Sequence, residues 1–463
     1  MEKIVVLLLT LIVVFICSRL VLKKHNPLLV FFGAGIIIHF YLAIARGYTP
    51  LGEKTMGNIY LDIFGFITSE FKSQLGGVGS NLMMVAGYAT LMTQIGASEK
   101  LATVATRPLR KINRPYLILA FLYFIGVVLK MMITSHAGLA LLLFSTTYPI
   151  LIELGVSKLS AASVILISGS LDWGPNDGAV LFAADNVTGI PVGEYFINYQ
   201  LISAAAAILT IGIVMAVYYK YLDKKMATTS GEVVLERTVE DKEISKASQL
   251  PGIYAILPAL PLLLIIGNLF IPSIKLDVFT ANVFGILVTL LIESVRHKEG
   301  VLETLTDNLK VTFQAMGNSF ANIVTLIVAA SVFAKGLIEL GGFNILADGL
   351  ATFSGAKIIT IVAFTILSFV AVIILGSGNA GWFAFGPLVL DMAPKVGLES
   401  YQIAVPMQLA SGMGRGVSPV AAAVISIAGL TGIELEDLIK HNAVPIVAGL
   451  IANIVVSYVV HVL

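Results

Sequence analysis

The residues able to do chemistry are few, and they interrupt long apolar stretches. Arg415 lies in Ser411-Gly-Met-Gly-Arg-Gly-Val-Ser-Pro419. A guanidinium at membrane depth costs about 3 kcal/mol on insertion scales. Its planar fork suits bidentate binding of a carboxylate. The competing reading is a structural or gating ion pair with Asp172 or Asp177. Those two aspartates flank Trp173-Gly-Pro-Asn176, where they could carry a coupling proton, help bind Na⁺ or receive a substrate ammonium. Two shorter polar interruptions are Thr134-Ser135-His136 and Ser377-Gly378-Asn379. His136 reads equally as a proton-coupling group or a hydrogen-bonded cap. Ser377 and Asn379 offer oxygens to a cation or donors to a carboxylate. Lys130, at the end of an apolar run, reads as a snorkelling lysine.

These interruptions matter because of what surrounds them. Of 463 residues, 57% are hydrophobic and 12% charged, against roughly 25% charged in a typical soluble domain. That excludes a soluble enzyme and a disordered chain. Apolar runs of about 20 residues recur throughout, as an all-α polytopic membrane protein requires. The formal net charge of +1 gives nucleic-acid binding no support. The lone Cys17 lies in the first apolar run and has no partner for a disulfide within the chain. No phosphate loop, no His/Glu metal spacing and no Ser-His-Asp set appears, so neither an enzyme nor an ATP-driven pump is expected.

The spans read as Ile4–Leu22, Pro27–Ala45 and Val78–Gly96, with residues 47–77 a loop carrying an interfacial helix near Ile59–Phe71. A basic arm with Lys100, Arg107, Arg110, Lys111 and Arg114 follows. Pro115–Ile133 and Ala137–Leu154 then lie back to back, and Lys158–Ile190 is broken by the Asp172–Asp177 stretch before Glu194–Tyr221. The second half has Pro251–Ile271, Asp277–Val295, Phe313–Gly336, Lys357–Leu375, Gly381–Val396, the interrupted Tyr401–Ile433 and Asp437–Leu463. This divides the chain into a first membrane repeat (1–221), a cytoplasmic charged linker (222–249) and a second repeat (250–463). Basic loops prefer the cytoplasm. With one crossing in 158–190, Lys23/Lys24, the arm, the linker and Arg296/Lys298 all share that side. The N-terminus is then outside, and five crossings in the first half make the second half enter inverted.

The chain also matches itself at an offset of 243. Thr134–Gly138 falls on Ser377–Gly381, Ser168-Gly169 on Ser411-Gly412, Thr188–Ile190 on Thr431–Ile433, and Asp172 on Arg415. The expected fold is two inverted repeats, each of about five transmembrane helices plus a re-entrant hairpin and a broken helix. In such carriers substrate and coupling-ion sites lie at the broken helices near the bilayer midplane. Freed N–H groups there attract anions, and freed carbonyls attract cations.

Gly376-Ser-Gly-Asn-Ala380 and Gly414-Arg-Gly-Val-Ser-Pro419 resemble the second-half motifs of the DcuC-type anaerobic C4-dicarboxylate carriers. Tyr221-Leu-Asp-Lys-Lys225 and Phe320-Ala-Asn322 extend the likeness over nearly the full length. The resemblance implies a bacterial inner-membrane carrier of fumarate, succinate and malate-like diacids, working by exchange or cation coupling. It also implies a homodimer and an elevator-like movement, with no cofactor beyond a coupling Na⁺ or H⁺. Carried over, Ser377 and Asn379 stand at the second tip and Arg415 and Ser418 at the second break. Ser135, His136 and Asn176 are the matching candidates in the first half. That half departs from the pattern: His136 replaces a small hydroxylated tip residue, and Asp172 and Asp177 make the break more acidic. Two added carboxylates suit an α-amino group, so an amino acid or amino-dicarboxylate is the alternative substrate.

Overall fold

The computed structural model describes all residues except 1, 24, 113, 230–248, 272–275, 298, 343–344, 346–347, 350–352 and 354. Lys24, Lys298 and most of the expected linker therefore lie outside the described residues. Residues 222–229 form the end of a long helix.

Two apolar helices open the chain, α1 (Glu2–Leu22) and α2 (Pro27–Arg46). Asn26 starts α2 by accepting the Leu28 N–H at 2.9 Å, with Pro27 in the first turn, where its missing N–H costs nothing. Ile4 and Phe15 of α1 are 63% and 65% exposed, as lipid-facing residues are.

Within the expected loop at 47–77, the helix expected near Ile59–Phe71 is present and longer. Helix α3 (Ile59–Gln74) runs through a kinked π turn at Leu75–Gly79 into α4 (Ser80–Gln94). Its polar residues find partners, which a reading of hydropathy could not foresee. Asp62 accepts from Thr49 (2.5 Å), Thr55 (2.7 Å) and the Met56 N–H (2.6 Å), and Gln74 accepts from Asn186 at 2.6 Å. Helix α5 (Ala97–Thr106) carries the start of the basic arm. Then come α6 (Pro115–Lys130), α7 (His136–Glu153), α8 (Lys158–Ser168), the five-residue α9 (Gly178–Phe182) and α10 (Leu201–Thr229).

The second half begins with 3₁₀ turns at Gly252–Ala255 and Leu257–Ala259 before α11 (Leu260–Phe270), then α12 (Val278–Arg296). The expected span 313–336 is the middle of a longer unit. Helix α13 (Val301–Ser319) passes through a π turn at Phe320–Val324 into α14 (Thr325–Leu340), the same device as α3–α4. Helix α15 (Ala356–Leu375) is followed by α16 (Gly378–Phe385) and α17 (Leu388–Lys395), which divide the expected Gly381–Val396 span at Gly386-Pro387. Helices α18 (Ser400–Gly414), α19 (Ala422–Thr431) and α20 (Leu435–His461) complete the chain.

Among the described residues, nine helical stretches are long and apolar enough to cross a membrane. Four helix pairs pack most extensively: α10 with α20, α2 with α14, α15 with α18, and α4 with α13. Three of these join the first half to the second, so both halves build one body. Its main apolar core includes Ile165, Phe182, Trp382, Ile403 and Met413.

Candidate substrate site

Four chain interruptions meet inside that body. Helix α6 has 16 residues, about 24 Å at 1.5 Å per residue, short of a hydrocarbon core of about 30 Å. The chain turns at Met131–Ser135 and comes back as α7, whose first turn is closed by Ser135 Oγ accepting the Gly138 N–H at 3.1 Å. Ser377 repeats this at the start of α16, accepting the Ala380 N–H at 3.3 Å. Helix α8 stops at Ser168, and non-helical turns follow until Asp177 caps α9 through the Ala179 N–H at 2.9 Å. Helix α18 stops at Gly414, and a 3₁₀ turn, Arg415–Val417, leads to α19.

The two breaks touch. A Cβ on Gly412 would lie 2.5 Å from the Asp172 nitrogen and 2.7 Å from the Ser170 carbonyl oxygen, so only glycine lets α18 approach the first break this closely. Two glutamines fix the contact. Gln200 Nε2 donates to Gln408 Oε1 at 2.6 Å, Gln408 Nε2 donates to the Asp172 carbonyl at 2.9 Å, and Gln200 Oε1 accepts the Gly174 N–H at 3.1 Å. Trp173 donates to the Val127 carbonyl and Trp382 to the Ala179 carbonyl, both at 2.9 Å. This non-helical backbone is thus tied from α6, from α18 and from Gln200 just before α10, while α16 holds the first turn of α9.

A buried charge cluster sits at this crossing. Arg415 pairs with Asp172 Oδ1 and donates to the Ser170 carbonyl at 3.1 Å. Lys130 Nζ reaches the same Asp172 oxygen at 3.0 Å and Asp177 Oδ2 at 2.7 Å. The Lys130 side chain is 0% exposed and that of Arg415 12%. The snorkelling expected of Lys130 is corrected: its side chain is 0% exposed and its ammonium is paired with Asp172 and Asp177, so it faces the inside of the protein rather than an interface. Two cations and two carboxylates balance, as buried charges must. Asp172 Oδ2 and Arg415 Nε are buried without a hydrogen-bond partner. Both face the second tip, 3.1 Å and 3.3 Å from where a Gly378 Cβ would stand.

The other expected residues divide. Asn379 is half-buried at the second tip, its Nδ2 4.0 Å from the Cβ position of Gly178 at the start of α9. Ser135 is exposed at the first tip. His136 donates from Nε2 to the Leu166 carbonyl at 2.9 Å, which is the cap reading. Asn176 accepts from the Asn282 side chain at 3.0 Å, and Ser418 donates to the Ile373 carbonyl at 2.7 Å, which holds that backbone in place. Among the described residues no group of three or more His, Cys, Asp or Glu could hold a metal ion.

The site role of Lys130, and Gln200, Gln408 and Asn282 altogether, lay outside the expected site. Each is a polar residue inside an apolar run, the one signal available. Asp223, in the Tyr221–Lys225 motif, is a further anchor. It accepts from Ser157 (2.8 Å), Ser160 (2.9 Å) and Tyr116 (3.2 Å), while Asn442 donates to the Gly416 carbonyl at 3.0 Å.

The sequence pattern of one family, described as DcuC, C4-dicarboxylate anaerobic carrier, matches residues 5–462. The chain belongs to the DcuC family. It is 30% identical over 97% of its length to the anaerobic C4-dicarboxylate transporter DcuC of Escherichia coli K12, covering 96% of that protein. A probable DcuC transporter of Vibrio cholerae is also 30% identical, over 97% of this chain and 96% of its own. In fold this DcuC member is similar to the YdaH transporter of Alcanivorax borkumensis, with TM-score 0.60 at 16% identity over 94% of this chain and 98% of that one. It is likewise similar to Neisseria gonorrhoeae MtrF, with TM-score 0.56 at 13% identity over 94% and 95%. The DcuC chain is a multi-pass transporter of the bacterial inner membrane and not an enzyme.

Proposed function

We propose that the protein carries C4-dicarboxylates of the fumarate, succinate and malate class by alternating access, with Arg415 taking one substrate carboxylate. The observation that carries this reading is the guanidinium at the meeting of both breaks and the second tip. It is 12% exposed, is charge-balanced by the chain's own Asp172, and has a buried N–H left without a partner. The tip at Ser377 presents a helix N-terminus beside it, the tip at Ser135 is its match in the first half, and Asn379 adds an amide. The names of the relatives support a dicarboxylate. The amino-acid alternative loses its motive, because Lys130 already engages both aspartates that were to meet an ammonium group.

The two halves work as inverted repeats. In support, Ser135 and Ser377 are matching N-caps, and Gly189 and Gly432 close the matching half-helices at φ 68° and 69°. Movement is elevator-like in a homodimer, as the resemblance implies. Transport is exchange or is coupled to Na⁺ or H⁺, with Asp172, Asp177 and His136 the groups within reach of a coupling cation. Proteoliposomes loaded with succinate are expected to take up labelled fumarate, and Arg415→Lys to lose most of that counterflow. Absence of counterflow with every C4 diacid refutes the substrate class.

A further inference from the structure

Arg415 cannot simply leave Asp172. A fully buried carboxylate stripped of its only cation is strongly destabilised, and a carrier must pass through that state in every cycle if Arg415 is to turn to substrate. The structure holds a second cation at the same atom. Lys130 Nζ and Arg415 Nη2 converge on Asp172 Oδ1, with Lys130 at 3.0 Å. The two cations differ in how they are held. Lys130 is 0% exposed and bound at 2.7 Å to Asp177, which is itself fixed by the Ala179 N–H at 2.9 Å. Arg415 is the more exposed member, it holds Asp172 and the Ser170 carbonyl, and its Nε lacks a partner on the side of Gly378.

We infer that Lys130 is a positioning residue that lets Arg415 change partners. It keeps Asp172 charge-paired while the guanidinium moves from Asp172 to a substrate carboxylate. The empty carrier is then held by an internal carboxylate standing in for the substrate's, and Asp172 competes with substrate for Arg415. His136, on α7, is the remaining titratable group at this centre, and it is occupied by the Leu166 carbonyl. The inference rests on Arg415 being the carboxylate ligand.

The test uses the full chain in proteoliposomes and in detergent. The double substitution Lys130→Met with Asp177→Asn removes one cation and one anion, so the centre stays neutral and Arg415 keeps Asp172. With no second cation to take Asp172 over, the KM for succinate counterflow is expected to rise at least about tenfold, and adding Asp172→Asn is expected to recover most of it. An unchanged KM in the folded double variant, or no recovery in the triple, overturns the inference. Asp172→Asn alone tests the same competition without relying on the double variant's folding. It is expected to tighten succinate binding several-fold in a thermal-shift titration, and an unchanged or weaker affinity counts against the inference. Arg415→Gln separates the two readings. If it leaves succinate binding intact, the ligand reading fails; if it abolishes binding while the double variant behaves as wild type, only the role of Lys130 fails.

Discussion

Gly412→Ala places a methyl carbon 2.5 Å from the Asp172 nitrogen and 2.7 Å from the Ser170 carbonyl oxygen. Ordinary contacts of that kind lie near 3.5 Å, so the methyl group intrudes by about 1 Å on backbone that cannot rotate away. The segment it strikes is pinned by Gln200, Gln408 and Trp173. Overpacking of this kind costs about 1–3 kcal/mol, while removing a helical glycine returns about 0.5–1 kcal/mol. The net expectation is about 1–2 kcal/mol of destabilisation, roughly a five- to thirtyfold change in the folded ratio. The control is Gly429→Ala in α19, which meets nothing within 4 Å and keeps only the favourable term. Thermal unfolding of the two purified variants should therefore move in opposite directions. Because the displaced backbone carries Asp172, succinate counterflow by Gly412→Ala should fall at least about tenfold. A Gly412→Ala protein as stable and as active as the Gly429→Ala control would show that the two breaks are not in backbone contact.

Ser377→Ala removes the N-cap of the second tip and is expected to cost about 1 kcal/mol, read as a lower unfolding temperature, with a larger loss of counterflow than the matching Ser135→Ala if the second tip stands nearer the substrate. Asp223→Asn weakens an acceptor shared by Ser157, Ser160 and Tyr116. It should cost about 1–2 kcal/mol in a detergent melt while leaving the KM for succinate near wild type, since Asp223 touches none of the site residues.

Much of this architecture was legible because a membrane imposes long apolar runs, and anything that interrupts them stands out. The two breaks, the two tips and the Asp172–Arg415 correspondence were visible for that reason. Helix α3 was legible near Ile59–Phe71, but its continuation into α4 was not, because Asp62, Glu70, Lys72 and Gln74 lower its hydropathy, and what satisfies Asp62 and Gln74 comes from Thr49, Thr55 and Asn186. The site role of Lys130 was missed for a different reason. A lysine ending an apolar run looks the same whether its ammonium reaches an interface or is buried against carboxylates, and only the fold tells the two apart. Gln200 and Gln408 are each unremarkable alone, and their meaning is their 2.6 Å contact across 208 residues.

The charge cluster also bears on how the chain is made. Lys130, Asp172 and Asp177 belong to the first half and together carry one excess negative charge, and the balancing Arg415 belongs to the last fifty residues. A ribosome that has finished α10 has therefore delivered a half with an uncompensated carboxylate at its centre, and the partner cation is among the last residues to arrive. Completion of the buried pair is a late step of biogenesis. Separately expressed halves should be short-lived alone and stabilise each other when made together.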